Sequence, residues 1–190
     1  MARIITTISI VVQLAMLLNS TAQAGGGNYE PTHPPYVAEV PVEAKSFYIE
    51  FQARNEVGGF GHSFVTLGTI DAFGHLHRTI VVGFMPKSGD DEYWSQFGLP
   101  VAGSVGVTRS DLVRRPDVRF RVAISRAKYQ LVVNSISSLR NSWSTYELLV
   151  RNCNNFVNQI AHSIGLRTPI ITAQYPVSYL GVRVATEPFY

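Results

Sequence analysis

A single cysteine stands at position 153 of this 190-residue chain. It lies within Arg151-Asn152-Cys153-Asn154-Asn155-Phe156-Val157-Asn158-Gln159-Ile160-Ala161-His162. A thiolate is a strong nucleophile, and its local field decides whether it forms at neutral pH. Asn152 is a good helix N-cap, because its side-chain oxygen can accept from N–H groups of the first turn. Val157, Ile160, Ala161 and Ile164 then recur at helical spacing, and Gly165 is a suitable stop. Cys153 is therefore expected in the first turn of a helix. Unpaired N–H groups and the positive end of the helix dipole there favour a thiolate and could steady an oxyanion. The same residue also fits a plainer use. Cys153 falls on the stripe of Val157, Ile160 and Ile164, and a lone cysteine on such a stripe often serves as a small buried hydrophobe.

A cysteine nucleophile needs a base within hydrogen-bond reach. The chain offers five histidines. His162 is nine residues along the same predicted helix, about 13 Å away at 1.5 Å per residue, which is too far. His33 sits among prolines and glycines. His75 and His77 fall at the far end of a predicted hairpin from His62, roughly 20 Å along the strands. His62 remains. It opens a strand just after Gly58, Gly59 and Gly61, where a glycine-rich bend allows another element to approach closely.

The elements that must hold this pair can be read from hydrophobic period. Phe47, Ile49, Phe51 and Ala53 alternate with polar residues over Ser46–Ala53, the pattern of a half-buried strand. His62–Gly68 is apolar or β-branched on both faces, as in a central strand. Arg78–Phe84 completes an antiparallel hairpin around Asp71–Gly74. Met85–Gly103, with two prolines, several glycines and Tyr93, Trp94 and Phe97, reads as a long loop that covers the core or lines a cleft. A short strand over Val105–Val107 and another over Val118–Ile124 follow. Ser125 caps a helix over Arg126–Arg140, with Val132, Ile136 and Leu139 on one stripe. The tail from Pro169 is expected as docked irregular chain or an edge strand. Strands followed by helices predict an α+β fold: an antiparallel sheet with two main helices packed on one face.

Residues 1–24 have the form of an export signal. Arg3 supplies a short positive start, Ile4–Leu18 is apolar, and Ala22-Gln23-Ala24 is a small-x-small cleavage pattern. No stable membrane insertion is expected after cleavage. Removing 24 residues leaves 166, suited to one domain at 46–190 preceded by a Gly/Pro-rich arm at 25–45. Exported proteins commonly use disulfides, yet a lone cysteine cannot form one internally, which leaves it buried, reactive or paired between molecules. The formal net charge of +3 and the lack of a dense basic–aromatic patch exclude a nucleic-acid partner. Arg114-Arg115, Arg119 and Arg121 read most simply as a solvated sheet face, with a polyanion-binding role as the alternative. His75 and His77 could share one strand face, but no acidic or cysteine partner stands at ligand spacing, so no metal is expected. Neither a phosphate loop nor a dinucleotide fingerprint is present, and no cofactor is expected.

Gly61-His62-Ser63-Phe64-Val65, followed much later by Tyr146-Glu147-Leu148-Leu149-Val150-Arg151-Asn152-Cys153-Asn154-Asn155-Phe156, resembles the circularly permuted papain-like superfamily. That superfamily includes the lecithin retinol acyltransferase-like and PPPDE-type cysteine peptidases. Val82-Gly83-Phe84-Met85-Pro86-Lys87 is similar to a Gly-Phe-x-Pro stretch of some bacterial members. The resemblance covers roughly residues 47–166. It implies a Cys153 nucleophile, a His62 base and an amide, ester or thioester substrate, for which an exported chain would look to peptide-like or cell-envelope material. His62 would take the thiol proton and return it to the leaving group. A third residue orienting the histidine is left open, with Glu50 and Gln52 on a neighbouring strand as candidates. Two alternatives stand beside this expectation: an inactive binding or inhibitory module on the same scaffold, and a lipid-modifying acyltransferase.

Overall fold

A computed structural model describes residues 33–37, 46–56 and 59–186. The predicted export segment and most of the predicted arm lie outside them. Seven strands form one antiparallel sheet: β1 (Tyr36–Val37), β2 (Ser46–Arg54), β3 (His62–Ile70), β4 (Leu76–Pro86), β5 (Val101–Gly106), β6 (Val118–Ile124) and β7 (Thr145–Tyr146). Their order is β6-β2-β3-β4-β5-β7, with β1 beside β4. Among the described residues five helices accompany them: α1 (Gly89–Ser95), α2 (Arg109–Val113), α3 (Arg126–Ser142), α4 (Cys153–Ser163) and α5 (Pro176–Thr186). The fold is α+β, as the order of elements predicts.

One face of the sheet carries the main core, and a small cluster of Phe64, Val81 and Val107 lies apart from it. Ile49, Phe51, Val65, Leu67, Val82 and Phe84 meet Val132, Ile136 and Leu139 of α3 and Phe156, Val157 and Ile160 of α4. The two main helices thus bury their apolar stripes on the same sheet face, where each large side chain removed from water contributes roughly 1.5–3 kcal/mol. Trp143, just past α3, stands edge-on to both Phe84 and Phe156. Ser125 caps α3 by accepting from Lys128 N–H. At its far end α4 closes with Gly165 at φ +80°. There Leu166 N–H donates to Ala161 and Gly165 N–H to His162, the paired return bonds that a left-handed glycine permits.

Two stretches differ from the sequence-based expectation. Met85–Gly103 is not a loop: it holds α1 and the start of β5. Ser88 caps α1 by accepting from Asp91 N–H at 3.1 Å, and Asp90, Asp91 and Glu92 crowd the first turn, where the helix dipole favours negative charge. Tyr93, Trp94 and Phe97 neither cover the core nor line the cleft described below. They pack on one another in edge contacts at the surface, with Trp94 half exposed. The tail after Pro169 ends in helix α5 rather than irregular chain, and Tyr179 and Leu180 of that helix are fully buried in the core.

Two short pieces were also unexpected. Helix α2 is capped by Thr108, which forms a reciprocal capping box with Asp111. Residues of the predicted arm pair with the sheet: Tyr36 and Val37 align with Val81 and Ile80, and the backbone of His33 exchanges hydrogen bonds with Val107.

Candidate active site

Strand β3 runs beside β2 from Ser46↔Ile70 to Arg54↔His62. Gly61 makes the turn into it at φ +80°, and a Cβ there would stand 2.5 Å from the Arg54 carbonyl oxygen. Only glycine supplies both the left-handed backbone and the close approach. That turn delivers His62, 6 % exposed, to the end of the sheet opposite Arg54. On the next strand, Gly83 leaves room for the ring: a Cβ at Gly83 would lie 2.5 Å from His62 Nε2.

Asn152 caps α4 by accepting from Asn155 N–H at 3.0 Å, while Asn155 Oδ1 accepts from Asn152 N–H at 3.1 Å. Cys153 is the first residue of the helix and is 5 % exposed. Asn154 ties that helix start to the end of β3. Its Oδ1 accepts from Ser63 Oγ at 2.9 Å, and its Nδ2 donates to the Thr172 and Gln174 carbonyls. Asn155 Nδ2 donates to Thr172 Oγ1. Asn152, Asn154 and Asn155 are therefore a connector whose side-chain amides are all hydrogen-bonded. It fixes the neighbour of His62 to the neighbour of Cys153.

His62 and Cys153, ninety-one positions apart in sequence, stand close enough for each to shift the other's titration. Burial opposes the imidazolium, but the Asp111 carboxylate and the thiol outweigh it and raise the His62 pKa above its ordinary value. Burial likewise opposes the thiolate, but His62 and the backbone N–H of Ser63 bring Cys153 below the ordinary thiol range. Both shifts favour the thiolate–imidazolium form.

Asp111 is the member that sequence reasoning missed. Its Oδ2 stands 3.9 Å from His62 Nε2, an electrostatic contact rather than a hydrogen bond. Asp111 is held on all sides. Thr108 N–H donates to Oδ2 at 2.8 Å, and buried Arg54 donates to Oδ1. Arg54 in turn bonds Glu56 at 2.7 Å. The legible signal was Thr108-x-x-Asp111, a capping-box spacing, although nothing in it points toward His62. Glu50 and Gln52 do not serve. They hydrogen-bond each other, and Glu50 accepts from Arg121 Nε at 2.7 Å, further along β2.

A cleft opens over the pair in two adjoining pockets of about 90 and 150 Å³ that share Phe60, Gly61, Tyr146 and Leu148. The first holds His62, with Glu56 and Glu92 on its wall. The second holds Cys153 and is largely apolar, lined by Leu149, Ala173, Tyr175 and Pro176 among others. Tyr146 stands between them. Burial, with the charges of Cys153 and Glu92, raises its phenol well above the ordinary range, so it stays a neutral hydrogen-bond donor beside the sulfur. Burial and Glu56 raise the Glu92 carboxyl as well, against the pull of His62.

The remaining histidines stand elsewhere. His162 closes α4 far from the thiol. His75 and His77 lie at the opposite end of the hairpin, where His77 pairs with Thr69. There they do have an acidic partner that the sequence reading did not find: Asp71 Oδ2 is 3.0 Å from His75 Nδ1 and 3.3 Å from His77 Nε2. Among the described residues, no set of three such side chains is arranged to hold a metal ion. No family model matches the chain, and no curated protein or solved structure matches it either.

Proposed function

We propose that this protein is an exported cysteine hydrolase of peptidase or amidase type, a divergent member of the permuted papain-like superfamily. It would act on an amide or related acyl bond in peptide-like or cell-envelope material. The observation that carries the proposal is the meeting of His62 and Cys153 at the mouth of a cleft, each shifted toward its charged form.

In this reading the Cys153 thiolate attacks the acyl carbon, and the charge develops on the carbonyl oxygen near the start of α4. N–H groups of that first turn and the Tyr146 hydroxyl are the donors at hand for the oxyanion. His62 Nε2 faces Asp111 and makes no hydrogen bond of its own, which leaves Nδ1 to serve the sulfur. Protonated His62 gives its proton to the leaving amine or alcohol. Water, deprotonated by His62, then cleaves the thioester. Asp111 touches no substrate; it holds the imidazolium in charge and orientation through the bonds that fix its own carboxylate.

The test uses the single thiol. Iodoacetamide should label Cys153 in the folded protein at pH 7, and His62→Ala should slow labelling at least about tenfold as the thiolate fraction falls. Equal rates in the two proteins would remove the dyad and leave a binding module on this scaffold.

A further inference from the structure

The face of the sheet away from α3 and α4 holds a second concavity. It is a groove of about 370 Å³, floored by Tyr48, Gln52 and Thr66 and walled by the loop that follows α2. Five arginines converge on it from three directions: Arg78 from β4, Arg114 and Arg115 from the loop, and Arg119 and Arg121 from β6. Only two carboxylates share the lining. Glu50 is paired with Arg121, and Asp111 with Arg54. Among the described residues no carboxylate pairs with Arg78, Arg114, Arg115 or Arg119. Four of the five guanidiniums are therefore uncompensated by a carboxylate on this one face of the sheet. Guanidinium forks match phosphate oxygens in geometry and in charge.

The rim decides which phosphate. Leu76 and Val113 belong to the lining of the groove and are exposed, Val113 by 69 %. Phe73, at the tip of the same hairpin as Leu76, is 86 % exposed. A soluble oligophosphate gains nothing from apolar side chains at the edge of its site. A lipid surface does, because they can enter the headgroup layer while arginines engage the phosphates. No helix among the described residues is long and apolar enough to cross a membrane, so such contact would be peripheral. We infer that the arginine groove docks the protein on an anionic phospholipid surface, with Arg114, Arg119 and Arg78 on headgroup phosphates and Val113, Leu76 and Phe73 at the acyl boundary. Asp111 lines this groove as well as facing His62, but the arginines and apolar residues named here line neither pocket of the cleft, and the surface stands whether or not the thiol is catalytic.

Sedimentation with vesicles tests it, comparing phosphatidylcholine alone with phosphatidylcholine containing about 30 % phosphatidylglycerol. The protein should bind the anionic vesicles and not the neutral ones. The double variant Arg114→Ala/Arg119→Ala should bind about 30-fold more weakly. Val113→Asp, which leaves every arginine in place, should also weaken binding. Arg140→Ala, on α3 across the sheet, should bind as the unaltered protein does. Equal binding by the double variant, an equal loss in Arg140→Ala, or full binding by Val113→Asp overturns the inference. So does binding of inorganic tripolyphosphate without binding of vesicles, which would assign the groove to a soluble anion, and so does binding of neither.

Discussion

The two ends of the β3–β4 hairpin carry the same pairing of side chains to opposite effect. At one end His62 faces Asp111; at the other His75 and His77 face Asp71. The distal pairs are closer, 3.0 and 3.3 Å against 3.9 Å. Their imidazoles are nonetheless open to water, with His75 73 % exposed in its side chain against 8 % for His62. Solvent screens an exposed pair to a fraction of what a buried one exerts. Proximity of histidine to carboxylate therefore does not distinguish the ends. What distinguishes them is burial, a guanidinium on the same carboxylate in Arg54, and a thiol brought in by another element.

The largest expected effect separates the two aspartates by stability. Asp111→Ala leaves buried Arg54 with only Glu56 as an ionic partner and should cost about 3 kcal/mol, since breaking a buried pair strands its charge. Asp71→Ala removes exposed contacts and should cost about 1 kcal/mol or less. Urea denaturation of the two variants measures the difference, and similar midpoints would mean that the Arg54–Asp111 pair is not buried as described.

A glycine at each end gives the next test. Gly83→Ala places a Cβ 2.5 Å from His62 Nε2 and must displace the ring, so alkylation of Cys153 should slow about tenfold. Gly74→Ala, at the distal turn with φ +85° and open space around it, should lower stability by about 1 kcal/mol and leave the alkylation rate unchanged. If Gly83→Ala alkylates as fast as the native protein, the ring does not depend on that clearance.

The smallest effect concerns pH. Asp111 favours the protonated form of His62. With Asp111→Asn, His62 should lose its proton at lower pH, and with less positive charge beside it Cys153 should ionise at higher pH. The rising limb of the alkylation–pH profile should therefore move upward, by about one pH unit. His77→Ala should not move it. An unmoved limb in Asp111→Asn would leave Asp111 a structural role only.

Much of this arrangement was legible in the chain. Alternation marked β2 and β6 within a residue of their observed ends, and the cap at Asn152 with the stop at Gly165 placed α4. Glycines before His62 marked the start of β3. Elements closed by local hydrogen bonds read well because their signals are local. α1 and α2 were missed although Ser88-x-x-Asp91 and Thr108-x-x-Asp111 carry capping spacings, because both helices are too short to show an apolar period. The tail helix α5 was missed because prolines and scattered apolar residues masked the pair, Tyr179 and Leu180, that enters the core.

The sequence by itself determined the kinds of element, the helix-tip position of Cys153 and the strand-start position of His62, since caps, glycines and hydrophobic period act over a few residues. Only the tertiary structure decided that the two meet, that Asp111 rather than Glu50 or Gln52 faces the ring, and that four unpaired arginines share one groove. Those are contacts between segments far apart in the chain. Their geometry depends on strand order and register, which no short stretch of residues encodes.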